Sequence, residues 1–271
     1  MKIFKNKFKL QKEISKANYI SFVPTMGGLH KGHLSLIKKA RKFKSKILVS
    51  IFVNPKQFNK KSDFMNYPRN MDKDIKILKN LKIDYVYVPD FKDIYNFKPK
   101  NQIYVNRFSK RLCGKFRKGH FEGVINVVNR FLEIIKPTYI YLGLKDFQQL
   151  TLIKKHILKN KINTKVIECK TIREKNGVAC STRNFNLSKK DLKIASNIYK
   201  YLFKLKKKLK KKQNSFNLNK VKNDLTSYGV KKIDYIENIN LENFDSIKKT
   251  KNKFNIFIAY YINNIRLIDN I

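Results

Sequence analysis

Two histidines three residues apart, His30 and His33, close the stretch Val23-Pro24-Thr25-Met26-Gly27-Gly28-Leu29-His30-Lys31-Gly32-His33. A β-branched run, Tyr19-Ile20-Ser21-Phe22-Val23, breaks at Pro24 into a Gly-Gly turn, and Leu34, Leu36, Ile37 and Ala40 follow at helical spacing. That order predicts strand, tight loop and helix, with both imidazoles at the helix entrance and facing the same way. A helix N-terminus carries unpaired N–H groups and a positive dipole end, which attract phosphate. Imidazoles there add donors where a triphosphate would lose pyrophosphate, so the chemistry implied is nucleotidyl transfer. Metal binding is the competing use of two histidines, but the chain has 4 in all and no carboxylate at helical spacing to complete a site.

Three other clusters carry polar groups, two of them after strand-like runs. Ser50-Ile51-Phe52-Val53-Asn54-Pro55-Lys56-Gln57-Phe58 ends one, and the carboxyl ends of strands form the ligand crevice of an open α/β sheet. Asn54 and Gln57 would project amides there, able to meet a hydroxyl and a carboxylate; a turn Asn before Pro with an exposed Gln is the plainer use. Gly143-Leu144-Lys145-Asp146-Phe147-Gln148-Gln149 repeats the first pattern after Tyr139-Ile140-Tyr141-Leu142. Lys145 suits phosphate oxygens, Asp146 a ribose hydroxyl, and Gln149 falls one helical turn after Lys145 on the same face. Cys180-Ser181-Thr182-Arg183-Asn184 follows Asn176-Gly177; two hydroxyls and a guanidinium make a polyphosphate clamp, or equally an N-cap and turn.

The elements that must position these groups alternate. Strands are predicted at 19–23, 46–53, 84–88, 138–142 and 165–169, with helices near 33–43, 70–81, 122–135 and 146–159. Asn70 caps one of these helices, with Asp72 and Asp74 in its first turn. This alternation predicts an α/β fold, a Rossmann-like parallel sheet with flanking helices, over 1–174. A Lys-rich helix at 189–212, a helix at 217–227 and strands at 231–237, 254–261 and 264–268 then predict a small α+β domain over 175–271. It would carry a short antiparallel sheet, with Asn263-Asn264 as a turn, and close over the site.

Composition narrows the classes. At 271 residues, 42% of them hydrophobic, the chain can bury a real core and is not disordered. No apolar run approaches a membrane span, and the N-terminus lacks a continuous signal-peptide core, so a cytoplasmic location and no membrane partner are expected. Three scattered cysteines give no disulfide framework and no zinc pair. The net charge of +43 suggests a polyanion binder, yet the lysines are spread along the chain beside abundant Asn and Ile, the residues of A/T-rich codons. Compositional bias accounts for the charge, and no specific nucleic acid is expected. The densest block, Lys204 to Lys212, suits RNA or an acidic membrane, or the solvated face of a helix whose Leu205 and Leu209 face inward.

Taken together, Pro24 to His33, Ser50 to Phe58, Tyr67-Pro68-Arg69, Leu112-Cys113-Gly114 with Gly119-His120-Phe121-Glu122-Gly123-Val124, Gly143 to Leu150 and Thr171 to Asn184 resemble the pantoate–β-alanine ligase family, within the His-x-Gly-His nucleotidyltransferases. The resemblance implies a two-step ligase. ATP and pantoate would give pantoyl adenylate and pyrophosphate, and β-alanine would then release pantothenate and AMP, with Mg²⁺ accompanying ATP. Met26, Gly27, Gly28, Leu29, His30, Lys31, Gly32 and His33 would hold ATP, with His33 the proton donor and His30 on the phosphates. Gln57 and Gln149 would grip pantoate, beside Asn54, and Gln57 would also face β-alanine. Gly143, Leu144, Lys145 and Asp146 would bind the ribose and adenine side, with Lys145 on phosphate. Backbone at Ile172 would read adenine, and Cys180, Ser181, Thr182 and Arg183 would close on phosphate. A homodimer is implied as well.

Departures from the family pattern are Leu144 and Cys180 in place of Glu or another polar residue and Met, Thr182 for Ser, Lys118 for Pro, and Lys31 for an acidic or polar residue. None removes a proposed catalytic side chain. The alternatives are a related nucleotidyltransferase with a different small acceptor, which would favour basic side chains over the Gln57 and Gln149 amides, and a basic RNA-binding protein on the same fold.

Overall fold

Ile20, Ser21, Phe22 and Val23 are all buried, as a strand at the centre of a parallel sheet requires. The computed structural model describes residues 1–212, 217–246 and 253–271. In chain order it contains β1 (Lys2–Phe4), α1 (Lys7–Ile14), β2 (Ile20–Thr25), α2 (Lys31–Ala40), β3 (Lys46–Ile51), α3 (Lys61–Met65), α4 (Met71–Asn80), β4 (Tyr85–Tyr87), α5 (Phe91–Tyr95), α6 (Cys113–Phe116) and α7 (His120–Ile135). There follow β5 (Tyr139–Gly143), α8 (Phe147–Lys159), β6 (Lys165–Cys169), α9 (Lys189–Lys212), α10 (Leu218–Ser227), β7 (Lys232–Asn240), β8 (Phe254–Ile262) and β9 (Ile265–Asn270). Contacts divide the chain into two compact units, Met1–Lys110 with Arg117–Ile172, and Arg111–Phe116 with Arg173–Ile271.

The first unit is a six-stranded parallel sheet in the order β1-β4-β3-β2-β5-β6. From β2 the chain winds outward through β3, and from β5 it winds the other way to β6. The order therefore reverses between β2 and β5, the place where such sheets hold ligands. Pro24 helps open that place. The β2–β3 ladder runs the whole of β2, whereas β2 and β5 are in register only at Ser21↔Tyr139 and Phe22↔Ile140. Proline has no N–H with which to carry a ladder further.

Alternation sends successive side chains to opposite faces. Val23, Val49, Val86 and Tyr141 pack with Leu36, Ile37 and Ala40 of α2 and Leu78 of α4. On the other face Phe131 of α7 meets the rings of Phe22, Phe52 and Tyr87 at 5.5, 6.3 and 6.0 Å. Burying such a ring stabilises by about 1.5–3 kcal/mol, so one side chain ties β2, β4 and the residue just after β3 to α7. Helix α7 also approaches unusually closely, because a Cβ on Gly123 would lie 2.2 Å from the carbonyl oxygen of Lys56.

The second unit has the antiparallel sheet β7-β8-β9, whose core joins Ile256, Ile258 and Ile262 to Ile198 and Leu202 of α9 and Val221 and Leu225 of α10. Asn263 turns the final hairpin at φ 51°, a left-handed conformation that asparagine tolerates. Arg173 grips Asp269 with two hydrogen bonds of 2.6 and 2.9 Å. Segment 111–116 belongs here, since Cys113 Sγ lies 3.1 Å from Tyr235 Oη and Arg111 pairs with Glu237 at 2.9 Å. Leu205 and Leu209 do pack inward from the Lys-rich helix. Lys206 is not on its solvated face: Nζ donates to Asn255 Oδ1 at 2.6 Å, and burial brings its pKa down to about 8.

Five short or weakly patterned elements are absent from the sequence expectations: β1, α1, α3, α5 and α6. Three of the helices have only four or five residues, too few to show a period, and α1 buries only Leu10 and Ile14. Strand β1 exists because it pairs with β4, not because its residues are buried. Strand β3 also ends sooner than expected, at Ile51 and not 53.

Candidate active site

The loop from β2 to α2 is held from beneath by side chains. Gly27 and Gly28 take φ of 77° and 61°, which glycine adopts without a Cβ penalty. The N–H of Gly27 donates to Thr25 Oγ1 at 3.2 Å. Those of Gly28 and Leu29 donate to the two carboxylate oxygens of Asp74, each at 2.8 Å. Leu29 itself is buried in the core of the sheet. The expectation of unpaired N–H groups at this helix entrance is thus corrected. The amides of Gly27, Gly28, Leu29, His30 and Gly32 all have protein acceptors.

His30 is the N-cap of α2, and its Nδ1 accepts the N–H of Gly32 at 3.1 Å. His33, in the first turn, returns the arrangement: its Nδ1 accepts the N–H of His30 at 3.4 Å. This reciprocal cap is a capping box built from two imidazoles. An accepting Nδ1 assigns the ring proton of a neutral imidazole to Nε2, so capping fixes the tautomer of both rings. The rings lie 4.1 Å apart and tilted by 35°. Burial holds the His33 pKa well below 6.5, and the charges of His30 and Lys145 push it the same way. His33 is accordingly neutral near pH 7, an N–H donor at Nε2.

Beyond β3, a 3-10 turn at Pro55–Gln57 presents Gln57, which is braced on several sides. Its Nε2 meets Met26 Sδ at 2.7 Å, joining the first two sequence clusters. Asn54 Nδ2 donates to Gln57 Oε1 at 3.3 Å and to the carbonyl of Gly123 at 3.2 Å. The other amide atom, Asn54 Oδ1, accepts from Tyr95 Oη at 3.0 Å and from the N–H of Lys56 at 3.2 Å. Asn54 is 1% exposed and both of its amide atoms are hydrogen-bonded within the protein, so in this structure it braces Gln57. The Gln57 carbonyl is held by His120 Nδ1 at 2.7 Å and Arg117 at 3.2 Å.

Gly143 ends β5, and a 3-10 turn, Leu144–Asp146, leads straight into α8. Lys145 is largely buried, with Nζ 3.5 Å from Asp146 Oδ1, and its charge reaches His33. Asp146 occupies the N-cap without making a capping hydrogen bond. Gln149 is half-buried in the first turn of α8, while its neighbour Gln148 is committed to the carbonyl of Phe108 at 2.7 Å. Gln57 and Gln149 make no hydrogen bond to each other among the described residues.

Loops at the ends of adjacent strands β2, β3 and β5 thus bring together two imidazoles, an ammonium group, a carboxylate and a braced amide. A model of the family described as pantoate-beta-alanine ligase matches residues 2–271. The chain belongs to that family. A pantothenate synthetase from Fervidobacterium nodosum is 40% identical over 269 residues, covering 97% of this chain and 94% of that protein. One from Francisella tularensis subsp. novicida is 41% identical over 268 residues, covering 96% and 92%. Among solved structures, the pantoate-beta-alanine ligase from Francisella tularensis, complexed with beta-gamma ATP and beta-alanine, matches with a TM-score of 0.84 at 40% identity, covering 100% of this chain and 97% of that one. Pantothenate synthetase from Thermus thermophilus matches with a TM-score of 0.90 at 27% identity, covering 100% and 99%. The chain is an ATP-dependent ligase that forms a C–N bond.

Ile172 is the last residue of the first unit, and Cys180 to Arg183 stand in the second. Cys180 and Thr182 are 3% and 4% exposed, and Cys180 Sγ bonds Glu174 Oε1 at 3.3 Å. Ser181 caps the 3-10 turn Thr182–Asn186 through the N–H of Arg183 at 3.3 Å, so the N-cap use of this segment is present. Asp74, Tyr95, Arg117 and His120 were not among the expected site residues. The sequence shows Asp74 only as an acidic residue in a helix first turn, and nothing in it links residue 74 to residue 28. No helix among the described residues is long and apolar enough to cross a membrane.

Proposed function

We propose that this ligase condenses pantoate with β-alanine through pantoyl adenylate. The observation that carries the proposal is the convergence, at the reversal between β2 and β5, of tautomer-fixed His30 and His33 with Lys145, beside Gln57 clamped to Met26. In the first step a pantoate carboxylate oxygen attacks the α-phosphorus in line, an acyl–O–P bond forms, and the bond to pyrophosphate breaks. In the second, the β-alanine amine attacks the acyl carbon, loses a proton, and displaces AMP.

Neither step needs a covalent bond to the protein, so positioning and charge neutralisation carry the catalysis. Nε2–H of His33 and of His30, with Lys145 Nζ, donate to oxygens that gain charge as pyrophosphate leaves. Gln57 and Gln149 orient pantoate, Gln57 also meets β-alanine, and Asn54 acts by holding Gln57. Asp146 takes the ribose and backbone near Ile172 the adenine, while Ser181 and Arg183 have the chemistry of phosphate donors. ATP enters as its Mg²⁺ complex, the ion being part of the substrate. We also propose a cytoplasmic homodimer, which the mass of the chain in solution would test.

Pyrophosphate release tests the chemistry. With ATP, Mg²⁺ and pantoate, the protein should release pyrophosphate without β-alanine, and adding β-alanine should yield AMP and an amide. Pyrophosphate release indifferent to pantoate would contradict the proposal.

A further inference from the structure

The histidine loop has no β-ladder beneath it, and two of its glycines are left-handed, so something else must set its shape. Asp74 is placed to do so. It lies in the first turn of α4, is 2% exposed, and accepts the N–H of Gly28 with one oxygen and that of Leu29 with the other. The fit is tight: a Cβ on Gly27 would stand 3.0 Å from Asp74 Oδ2. One residue after Leu29 comes His30, whose backbone N–H and ring both belong to the imidazole capping box. We infer that Asp74 is a positioning residue for catalysis, setting the loop so that His30 and His33 present their donors in register.

This inference rests on the proposed role of those histidines in the adenylation step. It differs from a generic stabilising role in what it predicts. The carboxylate is negative and lies under a loop assigned to a polyphosphate, so removing its charge favours ATP binding while loosening the donors. The loss therefore falls on kcat and not on the KM for ATP. Asparagine retains one acceptor oxygen but turns an NH₂ toward one of the two amides, and alanine loses both acceptors. Glutamate is too long for a space this closed.

The experiment compares Asp74→Asn, Asp74→Ala and, as a charge control on the exposed side of the same helix turn, Asp72→Asn. Two readouts are used: steady-state pantoate-dependent pyrophosphate release, and amide hydrogen exchange of the ligand-free proteins. We expect kcat to fall about a hundredfold in Asp74→Ala, less in Asp74→Asn, as for a misplacement of about 1 Å, with the KM for ATP unchanged or lower. Exchange should accelerate at Gly28 and Leu29 while the β2 and β3 amides stay protected, and Asp72→Asn should match the parent in both readouts. Parent-like kcat in Asp74→Ala, a raised KM for ATP with kcat intact, or unchanged exchange at residues 28 and 29 would overturn the inference. If the unsubstituted protein releases no pantoate-dependent pyrophosphate, the functional proposal fails, and the exchange readout still decides whether Asp74 sets the loop.

Discussion

The backbone N–H of His30 donates to Nδ1 of His33, and the two rings lie 4.1 Å apart. The pair is coupled through both backbone and charge. The cap assigns the His33 proton to Nε2, and burial, aided by the neighbouring His30 and Lys145, keeps the ring from taking a second proton. The two histidines of this chain form a helix cap that aims a neutral donor.

His33→Ala should lower kcat for pyrophosphate release about 10²–10³-fold, the cost of removing one donor to developing charge. ATP affinity, measured by calorimetry, should change by less than about tenfold, because the donor matters most in the transition state. A variant that releases pyrophosphate at the parent rate would remove His33 from the mechanism.

The pH profile follows from the lowered His33 pKa. A neutral Nε2–H donor persists from pH 7 down through 6.5, so kcat should show no acid limb near 6.5 that is abolished by His33→Gln. An inflection at pH 6.5 that disappears in His33→Gln would contradict the neutral assignment.

Gly123→Ala tests the bracing of Gln57. Its Cβ would collide with the Lys56 carbonyl, a backbone atom that can only yield by moving the 55–57 turn. We expect about 1–3 kcal/mol of destabilisation, as for other overpacked sites. The kcat/KM for pantoate should fall about tenfold or more, with the KM for ATP little changed. Equal losses for both substrates would argue against a local effect on Gln57.

Much of this arrangement was legible in the sequence. The strand–loop–helix around His30 and His33, and the last strands with their Asn263-Asn264 turn, follow from local pattern, and the structure has them. The supports were not legible, because each is a contact between distant segments. Asp74 meets Gly28 across 46 residues and His120 meets the Gln57 carbonyl across 63. Nor does residue type show that Asn54 is already held by Tyr95 and Gly123, which are distant in sequence.

His156 predicts the acid stability. It is fully buried, its Nδ1 accepts the Tyr104 N–H at 3.2 Å, its Nε2 meets Asn129 Oδ1 at 3.0 Å, and burial lowers its pKa from 6.5 to about 4. The unfolded chain binds a proton below about 6.5 that the folded chain refuses until about 4. Stability is therefore lost as pH falls through that window, by at most about 3 kcal/mol from this group. Urea titrations at pH 7 and 4.5 should show a smaller difference for His156→Gln than for the parent. An equal difference would assign the acid sensitivity to other groups.

The most direct measurement follows the oxygen. Pantoate labelled with ¹⁸O in its carboxylate, turned over with MgATP and β-alanine, should deliver one labelled oxygen to the phosphate of AMP, because the carboxylate oxygen that attacks the α-phosphorus stays with it. Label appearing in inorganic phosphate, or AMP formed without label, would contradict adenylation at this site.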